Sequence, residues 1–351
     1  MPETVHKNRP VLSSELPMET VRAIAIIALV SFHVIGGGEG GGLDVGYPHP
    51  LRYYADLMVD VRMPLFAFIA GAVYALKPVE PADLGRFMTG KLRRLALPGL
   101  VAISVFLIFA TVLGTDDALG GPLWEPYLRS YSIFWFLQAI LLIFVFYGTA
   151  DVLSGGRVLY PALAASALAA ALGLRIPTEV MSAHRVTTLL VYFLLGVAIM
   201  RNLHQLLQRR WMIVAVAMVA VAIGLTMNLA NLSRTGELSA NRLDLQSLAF
   251  GTGLCVAAFL ALPVVGWLRW LGAFSLTIYL YHILATSAAR RAMVALDIDS
   301  LWLQAAIGTL AGIAFPIVLH LLALRTGPTR LMLLGLRPGA RNRQTVRAAA
   351  A

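Results

Sequence analysis

Residues Met18–Ile35 read METVRAIAIIALVSFHVI, and this stretch decides the fold. A helix of that length rises about 27 Å, close to the hydrocarbon thickness of a bilayer. It nevertheless carries Arg22 and His33. Eleven positions at about 100° each bring the two side chains to within about 20° of one direction, roughly 16 Å apart along the axis. An ionisable group at membrane depth costs about 2.5–3.5 kcal/mol on insertion scales, so it turns toward a bundle interior or a wet cavity. A cation at one end of a stripe and an imidazole three turns on read as the two ends of a reaction channel.

Composition points the same way. The chain has 351 residues, of which 59% are hydrophobic and 13% charged, with a mean hydropathy of +0.77. These values describe an integral membrane protein and exclude an ordinary soluble enzyme. The net charge of +10 would suggest nucleic acid in a soluble chain, but here the charges follow the topology and no nucleic-acid partner is expected. The one cysteine, Cys255, lies in an apolar run and rules out an intrachain disulfide. Lys7 and Arg9 precede an apolar run as in a secretory signal, but that run is long, bears Arg22 and His33, and is followed by glycines rather than a cleavage site. It is read as a retained first span.

Further apolar segments run at about 55–76, 95–114, 131–150, 158–174, 185–200, 211–231, 243–262, 271–288 and 301–324. The expected fold is an all-α bundle of about ten transmembrane helices with both termini cytoplasmic. A cytoplasmic tail (1–17) would precede the membrane domain (18–324), and a basic, partly disordered tail (325–351) would follow. Lysines and arginines concentrate in the segments this topology places inside, including Lys77, Arg86, Lys91, Arg93, Arg94, Arg201, Arg209, Arg210 and the tail arginines. Fewer fall outside, among them Arg52, Arg129, Arg175, Arg185, Arg234 and Arg242. That asymmetry follows the positive-inside rule. The acids Glu39, Asp116 and Asp117 fall in expected outside loops. The run GGGEGGG, Gly36–Gly42, ends the first span as a flexible connector.

Depth selects the candidate chemistry. His33 and His282 reach the outer half of the bilayer at similar depth, about 22 and 20 Å from the inner ends of their spans. His320, near the inner end of the last span, is expected to be interfacial. Asp60 and Arg62 lie two residues apart on different helix faces, so each needs a partner from another helix. Glu19 is placed to pair with Arg22 at i,i+3. The cluster KLRR, Lys91–Arg94, lies at the inner mouth of the third span, where Lys91, Arg93 and Arg94 could join Arg22 in clamping an anionic cofactor's phosphates. No nucleotide-phosphate loop or metal-ligand spacing is present, and no metal is expected.

Several blocks resemble the acyltransferase-3 family of membrane-bound acyltransferases. ETVRAIAIIALVSFH resembles its opening Arg and His with ten residues between, RMPLFAFIAG its Met-Pro-Leu-Phe block, and KLRRLALP its basic third-span start. FWFLQAILL resembles the Trp-Phe-Leu block and LGAFSLTIYLYH the late Tyr-Leu-x-His block. The blocks run in the expected order over nearly the whole chain. Ala67 and Ala70 replace the Phe and Ser often found in relatives, Arg62 stands where many have His, and Ser132 where a polar aromatic is common. These departures bear on the acceptor more than on the reaction.

The resemblance implies an O-acyltransferase of a bacterial inner membrane. It would move an acyl group, commonly acetyl, from cytoplasmic acyl-CoA to a hydroxyl of an extracytoplasmic carbohydrate or glycolipid. His33 would then act as general base or as covalent acyl carrier. His282 and Asp60 would complete the catalytic set, with Arg62, Trp135 and Tyr279 toward the substrate. Two other classes fit the spans: a transporter or flippase of a small anionic or glycolipid substrate, and a non-catalytic subunit of a polysaccharide export system. A transporter would more often show symmetry between its halves, and none is visible.

Overall fold

A computed structural model describes residues 16–37, 42–114, 121–239 and 241–337. Most of the N-terminal tail, the centre of the glycine run with Glu39, the acids Asp116 and Asp117, and the end of the basic tail lie outside the described residues. The main helices are α1 (Met18–Ile35), α2 (Pro50–Leu57), α3 (Val59–Ala75), α4 (Leu84–Lys91), α5 (Leu97–Leu113), α6 (Trp135–Leu153) and α7 (Leu159–Ala171). They continue with α8 (Val186–Arg201), α9 (Arg210–Thr235), α10 (Leu245–Ala261), α11 (Gly266–Gly272), α12 (Ser275–Ala295), α13 (Leu301–Ala323) and α14 (Gly327–Leu334).

Seven helical stretches among the described residues are long and apolar enough to cross a membrane. The pair α11–α12, bent by 74°, makes an eighth, and α7 and α10 are shorter apolar helices. Every apolar segment named above therefore holds a helix. The protein is an all-helical integral membrane protein.

Helix α1 occupies the middle of the bundle, touching α3, α11, α12 and α13. Its sequence explains this: Ala23, Ala25, Ile26 and Val30 are completely buried, and small or apolar side chains on every face let neighbours approach from all sides. It ends at Gly36, whose φ of 100° only glycine adopts cheaply. The closest crossing joins α3 to α8. A Cβ on Gly71 would lie 1.9 Å from the Phe193 carbonyl oxygen, and one on Gly196 would lie 2.0 Å from that of Phe68. Reciprocal glycines thus bring backbone onto backbone, the packing that helices use in lipid.

One expectation changes at the Met18 end. His320 is buried rather than interfacial: its Nδ1 lies 2.7 Å from the Thr277 hydroxyl, with the Phe274 ring packed edge-on. The described start of the basic tail is helical. Residues 327–334 form α14, capped by Thr326, and Gly335 lies against the backbone of Arg93 and Arg94. Helix α4 leads into the third span, continuing into α5 through a π turn at Leu92–Ala96.

Candidate active site

Arg52 fixes the end of α1 that bears the imidazole. Its guanidinium grips Asp56 through Nε at 2.8 Å and through Nη2, and its Nη1 donates to the Gly36 carbonyl at 2.7 Å. Tyr47 adds a hydrogen bond to Asp56 at 2.6 Å. The last turn of α1 is therefore tied to α2, and His33 sits one turn below the tie.

His33 and His282, placed at similar depth by the sequence, come together. Their ring centroids are 5.1 Å apart with planes tilted by 46°. His282 is completely buried, and its Nδ1 lies 2.9 Å from the carbonyls of both Ile278 and Tyr279. A carbonyl only accepts, so Nδ1 carries the hydrogen and Nε2 holds the lone pair in the neutral ring. That Nε2 has no hydrogen-bond partner among the described residues. His33 lines a cavity of about 530 Å³ with Tyr131, Ser132, Ser287, Arg290 and Arg291.

Asp60 and Arg62 separate, each to a neighbour on another element. The Ser247 hydroxyl lies 2.9 Å from Asp60 Oδ2, and this Ser247 Oγ also lies 2.7 Å from the Asn241 carbonyl oxygen. Asp60 therefore holds the loop before α10, and makes no hydrogen bond to either histidine among the described residues. Arg62 lays its guanidinium over the Phe32 ring, 3.3 Å from the centroid, a cation–π contact beside His33. Trp135 faces two further arginines, Arg185 at 5.3 Å and Arg242 at 6.0 Å. Burial, then the nearby Arg185, lowers the Arg242 guanidinium to about 10, which leaves it charged at neutral pH.

The expected phosphate clamp at the other end is only partly free. Arg22 pairs with Glu19, its Nη1 lying 2.7 and 2.8 Å from the two carboxylate oxygens. Lys91 turns its ammonium onto the Phe144 ring at 3.5 Å, away from a phosphate. Arg93 Nε donates to the Gly335 carbonyl at 3.1 Å, and Arg94 is exposed. The channel expected between Arg22 and His33 is not open in this structure. Ile26 and Leu29 fill the same stripe at 0% and 2% exposure, because an apolar row between two polar ends packs when its neighbours can close on it. The cavity at His33 includes none of Arg22, Lys91, Arg93 or Arg94.

A family model described as an acyltransferase domain, acyltransferase-3, matches residues 18–321. The chain belongs to the acyltransferase-3 family. No curated protein and no solved structure matches it in the corresponding comparisons. The match covers every helix that contributes to the site, so this membrane acyltransferase carries its candidate residues within the family domain.

Among the described residues of this acyltransferase, no three His, Cys, Asp or Glu side chains gather to hold a metal. Tyr279 donates its hydroxyl to the Ile133 carbonyl and packs edge-on against Phe136. It thereby braces the segment that presents Trp135, and its hydroxyl is not offered to a substrate. The residues that sequence reasoning passed over are Arg52, Arg185 and Arg242. Each looks like a topology-setting loop charge, and only the fold shows that one ties down α1 and two lie over an indole.

Proposed function

We propose that this acyltransferase transfers an acyl group, acetyl first, from cytoplasmic acyl-CoA to a hydroxyl of an extracytoplasmic glycan or glycolipid. In this reading ten helical segments cross a bacterial inner membrane and both termini are cytoplasmic. The observation that carries it is the His33 imidazole at the cavity wall, packed against the buried ring of His282, whose tautomer is fixed by two backbone carbonyls.

In this mechanism a His33 nitrogen takes the proton from the acceptor hydroxyl as its oxygen attacks the thioester carbonyl. The carbon–sulfur bond then breaks, and coenzyme A leaves as the thiol with the proton from the imidazolium. His282 stands beside that imidazolium with an uncommitted lone pair on Nε2, placed to steady the developing charge. Asp60 acts at one remove, holding the loop that carries Arg242. At the opposite end Arg22, Arg93 and Arg94 are the groups for the coenzyme's phosphates. The thioester arm has to part or bypass Ile26 and Leu29 to reach His33.

The test is mass spectrometry of the host's envelope and exported glycans with the intact chain, without it, and with His33→Ala. One acyl unit present only with the intact chain is the expected result. Identical glycan masses in all three would remove the acyl-transfer reading.

A further inference from the structure

We infer that Arg185 and Arg242, which share the ring of Trp135, together with Arg62, stacked on Phe32 beside His33, form a subsite for an anionic group, carboxylate or phosphate, on the acceptor glycan. The inference rests on the acyl-transfer reading above and narrows its substrate to acidic sugars.

The first observation is burial without partners. Arg62 is 3% exposed, yet its Nε and Nη1 have no hydrogen-bond partner among the described residues, and neither has the buried Nε of the half-buried Arg185 or Arg242. No carboxylate pairs with any of the three within ion-pair distance among the described residues. A buried guanidinium nitrogen in that condition has lost its water, and the aromatic face beneath the group accepts no in-plane hydrogen bond in exchange.

The second observation is convergence. Arg185 and Arg242 share the indole of Trp135, and Arg62 lies within electrostatic reach of Arg242. His33 lies within reach of both Arg62 and Arg242. An anion held among these arginines would therefore bring the rest of its sugar toward the imidazole. The guanidinium fork matches the two oxygens of a carboxylate or phosphate, and the indole supplies a flat apolar wall for a sugar ring.

The third observation is that nearby acids do not neutralise the group. Asp60, within reach of both Arg62 and Arg242, is one carboxylate against the three arginines and forms an ion pair with none of them among the described residues. Asp56 is gripped by Arg52. Glu179, within reach of Arg185, is exposed to solvent. The cluster keeps an excess of positive charge that an incoming anion would satisfy.

The full chain in phosphatidylcholine nanodiscs tests this by calorimetric titration with glucuronate, glucose 1-phosphate and glucose. Saturable binding of one of the two acids in the millimolar range, with none for glucose, is expected. Arg242 lies on a loop, so Arg242→Gln should fold normally and weaken that binding about tenfold or more. Arg234→Gln removes an exposed charge from the same end and should leave it unchanged. Equal binding of glucose, equal effects of the two substitutions, or binding of phosphatidylglycerol but of neither sugar acid would overturn the subsite. Acetyl-CoA turnover measured on the same samples separates the two readings. Anion binding without turnover supports the subsite and removes acyl transfer, whereas turnover without anion binding overturns the subsite alone.

Discussion

The two ends of the bundle treat buried charge in opposite ways. At the end where α3, α6 and α8 finish, Asp151 receives two hydrogen bonds from Arg201, at 2.9 and 2.5 Å, and one each from Tyr74 and Tyr147, at 2.7 and 3.1 Å. Every member of that cluster has a partner. At the His33 end, Arg62, Arg185, Arg242 and His282 Nε2 all retain unused capacity. Single orphans occur at the Asp151 end too, such as Arg210 Nε and His320 Nε2, but they do not converge on one indole and one imidazole pair. The saturated end holds helices together, and the unsaturated end is built to receive something.

Four substitutions can break or sharpen this contrast. His33→Ala should lower acyl transfer at least about a hundredfold, while thermal unfolding moves little, because the ring borders a cavity; a large loss of stability would make it a structural residue. Asp151→Ala should cost about 3 kcal/mol, at the low end for breaking a buried pair because Arg201 keeps some solvent, read from denaturant unfolding in detergent. Arg62→Met should leave stability unchanged or raise it by about 1 kcal/mol, because it removes an unpaired buried cation, yet abolish binding of a sugar acid. A penalty matching that of Asp151→Ala would show that Arg62 is as structurally bound as Asp151. Tyr74→Phe should cost only about 1 kcal/mol, since Asp151 keeps Arg201 and Tyr147, and double-mutant cycles with Arg201 would measure the coupling.

Much of this was legible in the sequence, for reasons that differ by residue. Hydropathy located the helical segments because lipid forces apolar runs to be helices. The i,i+3 rule found Glu19–Arg22, a contact within one helix. Depth counting paired His33 with His282, because a straight helix converts residue number into height. Asp60 and Arg62 were correctly separated by helix angle, but their partners Ser247 and Phe32 lie on other elements and could not be read. The channel failed because side-chain direction says nothing about whether neighbours close over Ile26 and Leu29. Arg185 and Arg242 stayed hidden because a loop arginine that sets topology and one that meets an indole are the same letter.

The crossing of α3 and α8 carries one more consequence. Arg62 rides on α3 about 13 Å from Gly71, and Arg185 precedes α8 about 16 Å from Gly196. The gap between those two charges is thus gauged by a contact of bare main chain, with no rotamers to adjust it. A methyl group added at Gly196 would work like a shim under a pair of calipers. It would change which acids fit between the jaws while touching none of the residues that hold them.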